Sequence, residues 1–273
     1  MTARASGSRP SASRRLRYGP HPDQWGDLHL PGAEPRRGVV VVVHGGYWQD
    51  PYTAELVAPV AEDLAQHGFA VWNLEYRRAG RTGAGGAGGW PATFEDIGTG
   101  IDHLAELADA HALDMDRVAF LGHSAGGHLA VWAAGRHRLP PDAPGAGPRV
   151  SPRGVVSLAG VLDLAAADRL RLGEDAVRNL MGAAPGRSFH LADPVRALPI
   201  GTVVHAVHSP ADDTIPFALS ADYVAAARAA GDPAELHVVT GDHFAVADPE
   251  HQAYRTCREL LERMLPGRPV TTP

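Results

Sequence analysis

Val118-Ala119-Phe120-Leu121-Gly122-His123-Ser124-Ala125-Gly126-Gly127 is the stretch that decides the fold. Its first four residues are an unbroken apolar run, the pattern of a strand buried on both faces. A turn of small residues follows, and 127–135 then reads as a helix. Gly122 to Gly126 is a GxSxG string, and its place between strand and helix carries more weight than the string itself. Glycine at each flank lets the backbone turn sharply. The serine hydroxyl is then lifted above the sheet edge, with the helix N-terminus pointing its dipole at it.

The same alternation extends outward in both directions. Upstream, 39–43 is five consecutive valines, a doubly buried strand. A helix is expected over 53–67, with Leu56, Val60 and Leu64 on one face, and a second strand over 69–74. The spacing of Ile97, Ile101, Leu104 and Ala108 predicts a helix over 94–111. Downstream come strands over 155–158, 203–207 and 235–239, with helices over 217–230 and 250–265. The stretch 161–199 is irregular, with a short helix over 174–180, and reads as a small cap region at most. Strands separated by helices predict an α/β fold, a mostly parallel central sheet with helices on both faces. No linker divides the chain, so one domain is expected over 18–266. A disordered Arg- and Ser-rich tail is expected over 1–17 and a short C-terminal tail over 267–273.

Composition narrows the chemistry. The chain has 273 residues, with 25 basic and 31 acidic side chains, and every basic one is Arg. Without lysine there is no P-loop, no kinase active site and no pyridoxal Schiff base. A serine–lysine dyad is excluded too. The net charge of −6 gives no reason to expect nucleic-acid binding. Cys257 is the single cysteine, which excludes an intrachain disulfide and a multi-cysteine zinc site and suits a reducing cytoplasm. No apolar run fits a secretory signal or a membrane span, so a cytoplasmic protein without membrane contact is expected.

A serine hydroxyl needs a base, and the base a carboxylate to orient it. There are 15 histidines, so position along the fold has to choose. Behind a nucleophile elbow, the acid and then the histidine follow at the ends of later strands. Ser209-Pro210-Ala211-Asp212-Asp213 follows the strand at 203–207, and Gly241-Asp242-His243-Phe244 follows the one at 235–239. Asp212 is read as the acid and His243 as the base, with Asp213 competing on spacing. His44-Gly45-Gly46-Tyr47-Trp48 follows the valine strand. Gly45 and Gly46 allow close backbone approach, and the N–H of Gly46 or Tyr47, with that of Ala125, would bind a developing oxyanion.

With these residues in place, the sequence resembles the α/β-hydrolase superfamily over nearly all of 38–266, which implies the α/β-hydrolase fold. His44 to Trp48 looks like the HGGxW motif of kynurenine formamidases and related small esterases. The segment from His208 to Pro216 is similar to their HGxxDxxVP stretch, and this implies Asp212, not Asp213, as the acid. Ser209 replaces the usual glycine. Gly160-Val161-Leu162-Asp163-Leu164 looks like their G-x-[YF]-D-L segment, with Leu162 in the place of the common aromatic.

Other features carry less. The run from Gly80 to Gly89 lacks the setting of a phosphate cradle and reads as a loop or a flap near the site. Glu75, Arg77 and Arg78 follow a strand end and read as a structural ion-pair group. His205 and His208 lie three apart on a strand, point to opposite faces and are poor co-ligands. Trp48 and Trp90 are equally suited to wall a pocket or to pack under a loop. The expectation is a serine hydrolase acting on a small carboxylic ester through an acyl-enzyme, with an N-formyl aryl amide as the alternative substrate. It calls for no cofactor and no metal, and leaves a homodimer open. A non-catalytic binding module is the weaker rival, because all three triad residues are present.

Overall fold

The computed structural model describes residues 13–32, 37–80, 87–182, 186 and 188–267. The chain opens with two strands, β1 (Ser13–Arg17) and β2 (Trp25–His29). Strand β3 (Gly38–Val43) leads through a 3-10 turn into helix α1 (Ala58–Gln66) and strand β4 (Phe69–Leu74). Helices α2 (Ala92–Asp102) and α3 (Leu104–His111) precede β5 (Val118–His123), α4 (Ala125–Ala134) and β6 (Gly154–Leu158). The irregular stretch holds α5 (Leu164–Arg169), α6 (Leu172–Met181) and α7 (Phe189–Ala192). Then come β7 (Val203–His208), α8 (Ala218–Ala229), β8 (Ala234–Val238) and α9 (Gln252–Met264).

The strands form one sheet in the order β1-β2-β4-β3-β5-β6-β7-β8. Pairing is antiparallel from β1 to β4 and parallel from β4 to β8. The valine run shows why the centre is hydrophobic on both sides. Val39, Val41 and Val43 join Trp72, Phe94 and Leu129 on the face covered by α2, α4 and α8. Val40 and Val42 join Leu64, Tyr254 and Leu261 on the face covered by α1 and α9. A parallel strand covered by helices on both faces has no polar face to show. The one thiol, Cys257 on α9, is fully buried in this second core.

The structure departs from the expected elements in three places. The tail expected over 1–17 does not extend to 17: Ser13–Arg17 is an edge strand, and residues 1–12 lie outside the described residues. Polar side chains hid it. Arg15 pairs with Asp27 at 2.9 Å and lies over the Trp25 ring at 3.4 Å. The helix expected over 94–111 is two helices meeting at His103, which keeps right-handed helical angles, so the boundary is local. The helix expected from residue 174 falls within α6, which is kinked near its start, where Gly173, Glu174 and Asp175 adopt left-handed angles, so its regular right-handed course begins after Asp175. Most of the Gly80–Gly89 run, expected as a loop or flap, lies outside the described residues, as does most of the C-terminal tail.

Candidate active site

Two loops meet above the carboxyl ends of β3 and β5, where consecutive connections leave to opposite sides of the sheet. Such a switch point leaves a crevice in an open α/β sheet. Ser124 stands there between β5 and α4, with φ 57° and ψ −120°, a conformation costly for a side chain with a Cβ. Its N–H donates to the Leu158 carbonyl at 2.8 Å, and its carbonyl accepts from His128 N–H at 3.2 Å, so neighbouring elements hold the strained residue. Both flanking glycines are required. A Cβ on Gly122 would sit 2.1 Å from the Gly126 carbonyl oxygen, and one on Gly126 would sit 2.1 Å from that of Val43.

The acid loop follows β7. Asp212 Oδ1 accepts the N–H groups of Thr214 and Ile215, both at 2.8 Å. Asp212 Oδ2 accepts His243 Nδ1–H at 2.7 Å and His208 Nε2–H at 3.1 Å. Burial pushes this carboxyl upward, but the hydrogen bonds from His208, His243 and the Ile215 amide prevail and hold it well below the usual carboxylate range. The competitor Asp213 is exposed and bonds only locally, accepting from Thr214 Oγ1 at 3.1 Å.

The histidine loop follows β8. Asp242 Oδ1 accepts the N–H groups of Phe244 and Ala245, each at 3.0 Å, and this turn presents His243. With Nδ1–H given to Asp212, Nε2 is the ring nitrogen turned away from the acid. The elbow and the histidine loop are also tied directly, because His123 Nε2–H donates to the His243 carbonyl at 3.0 Å. Burial first, and the neighbouring His243 second, push His123 down to about 4, so it stays neutral.

The loop His44 to Trp48 completes the arrangement. A Cβ on Gly45 would meet the His123 carbonyl oxygen at 2.7 Å and Ser124 Cβ at 3.0 Å, so only glycine lets this backbone lie against the elbow. Gly46, Tyr47 and Trp48 all have positive φ. Among the described residues, none accepts the N–H of Gly46 or of Tyr47. Glu75 braces the loop from beneath. It is buried, takes His44 Nε2–H at 3.0 Å and the Ala54 and Tyr76 N–H groups at 2.9 Å, and pairs with Arg78. Burial raises this carboxyl, yet His44, Arg78 and the Ala54 amide leave it lowered overall. The Tyr47 hydroxyl reaches the Thr214 carbonyl at 3.3 Å, linking this loop to the acid loop.

Ser124 and His243 line one pocket with Gly46, Tyr47, Tyr52, Leu56, His123, Thr214 and Phe244, about 130 Å³ in volume. Tyr52, Leu56 and Phe244 are exposed at its rim. Trp48 does not line it; the ring is buried edge-on against His128. Trp90 packs on Phe94, and Leu162 is fully buried. Two residues that the sequence reading passed over belong to the site's framework. His208 was visible as the first letter of its motif. His123 was visible as the variable position of GxSxG.

The fold and this switch-point crevice define the class, an α/β-hydrolase. A family described as BD-FAE matches residues 27–226, and the chain belongs to that family, whose members are α/β-hydrolase-type esterases. It is accordingly a hydrolase of the carboxylesterase type. Among solved structures, the chain is similar to a truncated carbohydrate esterase from gut microbiota, with 19% identity and a TM-score of 0.78, covering 95% of this chain and 98% of that one. It is also similar to esterase B from Lactobacillus rhamnosis, with 19% identity and a TM-score of 0.80, covering 94% and 86%. The esterase Est2 of Thermogutta terrifontis, in a butyrate-bound form, shows 22% identity and a TM-score of 0.72, covering 93% of each chain. At these identities the likeness is one of fold. A search of the curated proteins found no match. Among the described residues no helix is long and apolar enough to cross a membrane.

Proposed function

We propose that the protein hydrolyses small carboxylic esters through an acyl-enzyme on Ser124. The observation that carries this reading is the His243–Asp212 hydrogen bond of 2.7 Å beside an elbow serine in the same pocket. Ser124 Oγ attacks the ester carbonyl carbon while His243 Nε2 takes its proton. Asp212 holds the imidazole tautomer and stabilises the imidazolium. The tetrahedral oxyanion is met by the N–H groups of Ala125 and of Gly46 or Tyr47. Losing one such donor costs about 10²–10³ in rate. The imidazolium protonates the departing alcohol, which leaves as the carbonyl re-forms. Water, deprotonated by His243, then attacks the acyl-enzyme, and Ser124 leaves with its proton restored. The small, apolar-rimmed pocket suits a short acyl group, and short-chain esters are also suggested by the butyrate on the similar Thermogutta esterase.

An N-formyl aryl amide is the second reading. The His44-Gly45-Gly46-Tyr47-Trp48 loop favours it, together with Tyr52 and Phe244 at the rim, where an aryl group would stack. Incubating the protein with a fluorophosphonate and mapping the labelled peptide tests the mechanism. Label on Ser124, with turnover of p-nitrophenyl acetate at least about 10³-fold lower in Ser124→Ala, is the expected result. Absence of label on Ser124 in an active preparation overturns it. Comparing p-nitrophenyl acetate with N-formylkynurenine separates the two substrates.

A further inference from the structure

A second cluster of ionisable side chains lies at the β8 edge of the sheet, apart from the pocket around Ser124. His205 on β7 faces Glu235 on β8 across the parallel register, and His237 is two residues further along β8. Residues two apart on a strand share a face, so Glu235 and His237 project to one side. His205 shares its face with Val207, whose side chain belongs to the core covered by α9. All three side chains therefore meet on the α9 side. The two imidazole nitrogens, His205 Nδ1 and His237 Nε2, are 3.1 Å apart. Glu235 Oε2 is 3.6 Å from the first and 3.4 Å from the second.

These separations have the size of a coordination polyhedron. A tetrahedral zinc with bonds of about 2.0–2.1 Å to nitrogen and carboxylate oxygen sets its donor atoms about 3.3 Å apart. The three observed distances bracket that edge. A magnesium octahedron, with bonds of about 2.0–2.1 Å, needs adjacent donors about 2.9 Å apart and prefers oxygen. Two imidazoles and one carboxylate also match the ligand taste of zinc and its neighbours in the first transition row. The rings are suited to the task. Burial lowers both histidines and Arg263 lowers them further, against the opposing pull of Glu235, so neutral imidazole with a free lone pair is favoured. Glu235 is exposed, which leaves an open side for the ion to enter and for water to take the fourth place.

We propose that His205, Glu235 and His237 form a non-catalytic site for zinc or a similar divalent transition-metal ion, bound tetrahedrally with one water. Without the ion, one ring N–H donates to the other ring's nitrogen. On binding, that proton moves to the outer nitrogen of its own ring, and both inner nitrogens coordinate. The ion then clips β7 to β8, the two strands whose far ends carry Asp212 and His243. Arg263, exposed on α9, is the cation that opposes it.

The test is calorimetric titration of zinc into the metal-stripped full chain, paired with the visible spectrum of the cobalt-loaded protein. One equivalent should bind, and cobalt should show the intense bands of a tetrahedral site. His237→Gln and Glu235→Gln, both at positions that are not fully buried, should each weaken binding tenfold or more with unchanged circular dichroism. Arg263→Gln should tighten it several-fold, and His243→Ala should leave it intact. The proposal is overturned if wild type binds no better than His237→Gln, if cobalt stays six-coordinate and pale, or if the equivalent disappears in His243→Ala instead.

Discussion

Four donors converge on the Asp212 carboxylate, and each oxygen has a separate task. One oxygen is spent on the loop's own amides, and the other receives two histidines. An amide at this position offers an oxygen on only one side. In Asp212→Asn the new NH₂ group either faces the Thr214 and Ile215 amides or turns toward His243 and forces the wrong imidazole tautomer. We expect kcat for p-nitrophenyl acetate to fall by about 10³–10⁴ in Asp212→Asn. Asp213→Asn, at an exposed side chain, should stay within about twofold of wild type. Equal losses in the two variants would contradict the assignment. This residue was within reach of sequence, because a motif and a strand end agreed on it. His208 stood in the same motif, but its role was not legible, since a histidine on a strand reveals nothing of which loop carboxylate will fold back over it.

Helix α4 couples the elbow to α7 through one buried ring. His128 is fully buried, donates Nε2–H to the Ala192 carbonyl at 2.9 Å, and is met edge-on by Trp48 and Phe94. Burial, opposed only by that hydrogen bond, pushes it down to about 4. The folded value thus lies below the unfolded one, near 6.5, and the unfolded chain takes up the proton first. The stability contributed by keeping the ring neutral is complete above pH 6.5 and is lost as pH falls from there toward 4, amounting to about 3 kcal/mol in all. Urea midpoints should therefore drop steeply from pH 7 to pH 4.5 in wild type. In His128→Gln, which keeps a donor for Ala192, the drop should be distinctly shallower; an unchanged slope would show that the ring is already charged or exposed. The hydrophobic elements around it were legible because their apolar periods are long and regular. Strand β2 was not. Its Gly26 looks like a breaker, yet it is there because a Cβ would lie 2.4 Å from the Trp72 ring. That requirement comes from a residue 46 positions away in sequence.

Across the whole molecule, the alternation of strands and helices announced a parallel sheet, while the order of strands is set by long-range pairing that no local period records. The zinc clip shows the same limit. His205, Glu235 and His237 look unrelated until the register of β7 on β8 brings them together. The two-faced core has one more consequence, for how the molecule can be watched. Cys257 is closed in beneath α9, where burial pushes its thiol upward and makes it a poor nucleophile. In a chain with one thiol, a thiol reagent becomes a clock for opening of that core. Its reaction should be far slower in the native protein than in urea. At high reagent concentration the rate should level off at the opening rate, independent of reagent. A native rate that keeps rising with reagent and matches the unfolded one would mean that α9 does not seal the core. Zinc at the β8 edge, by holding shut the sheet on which α9 rests, should slow the same clock.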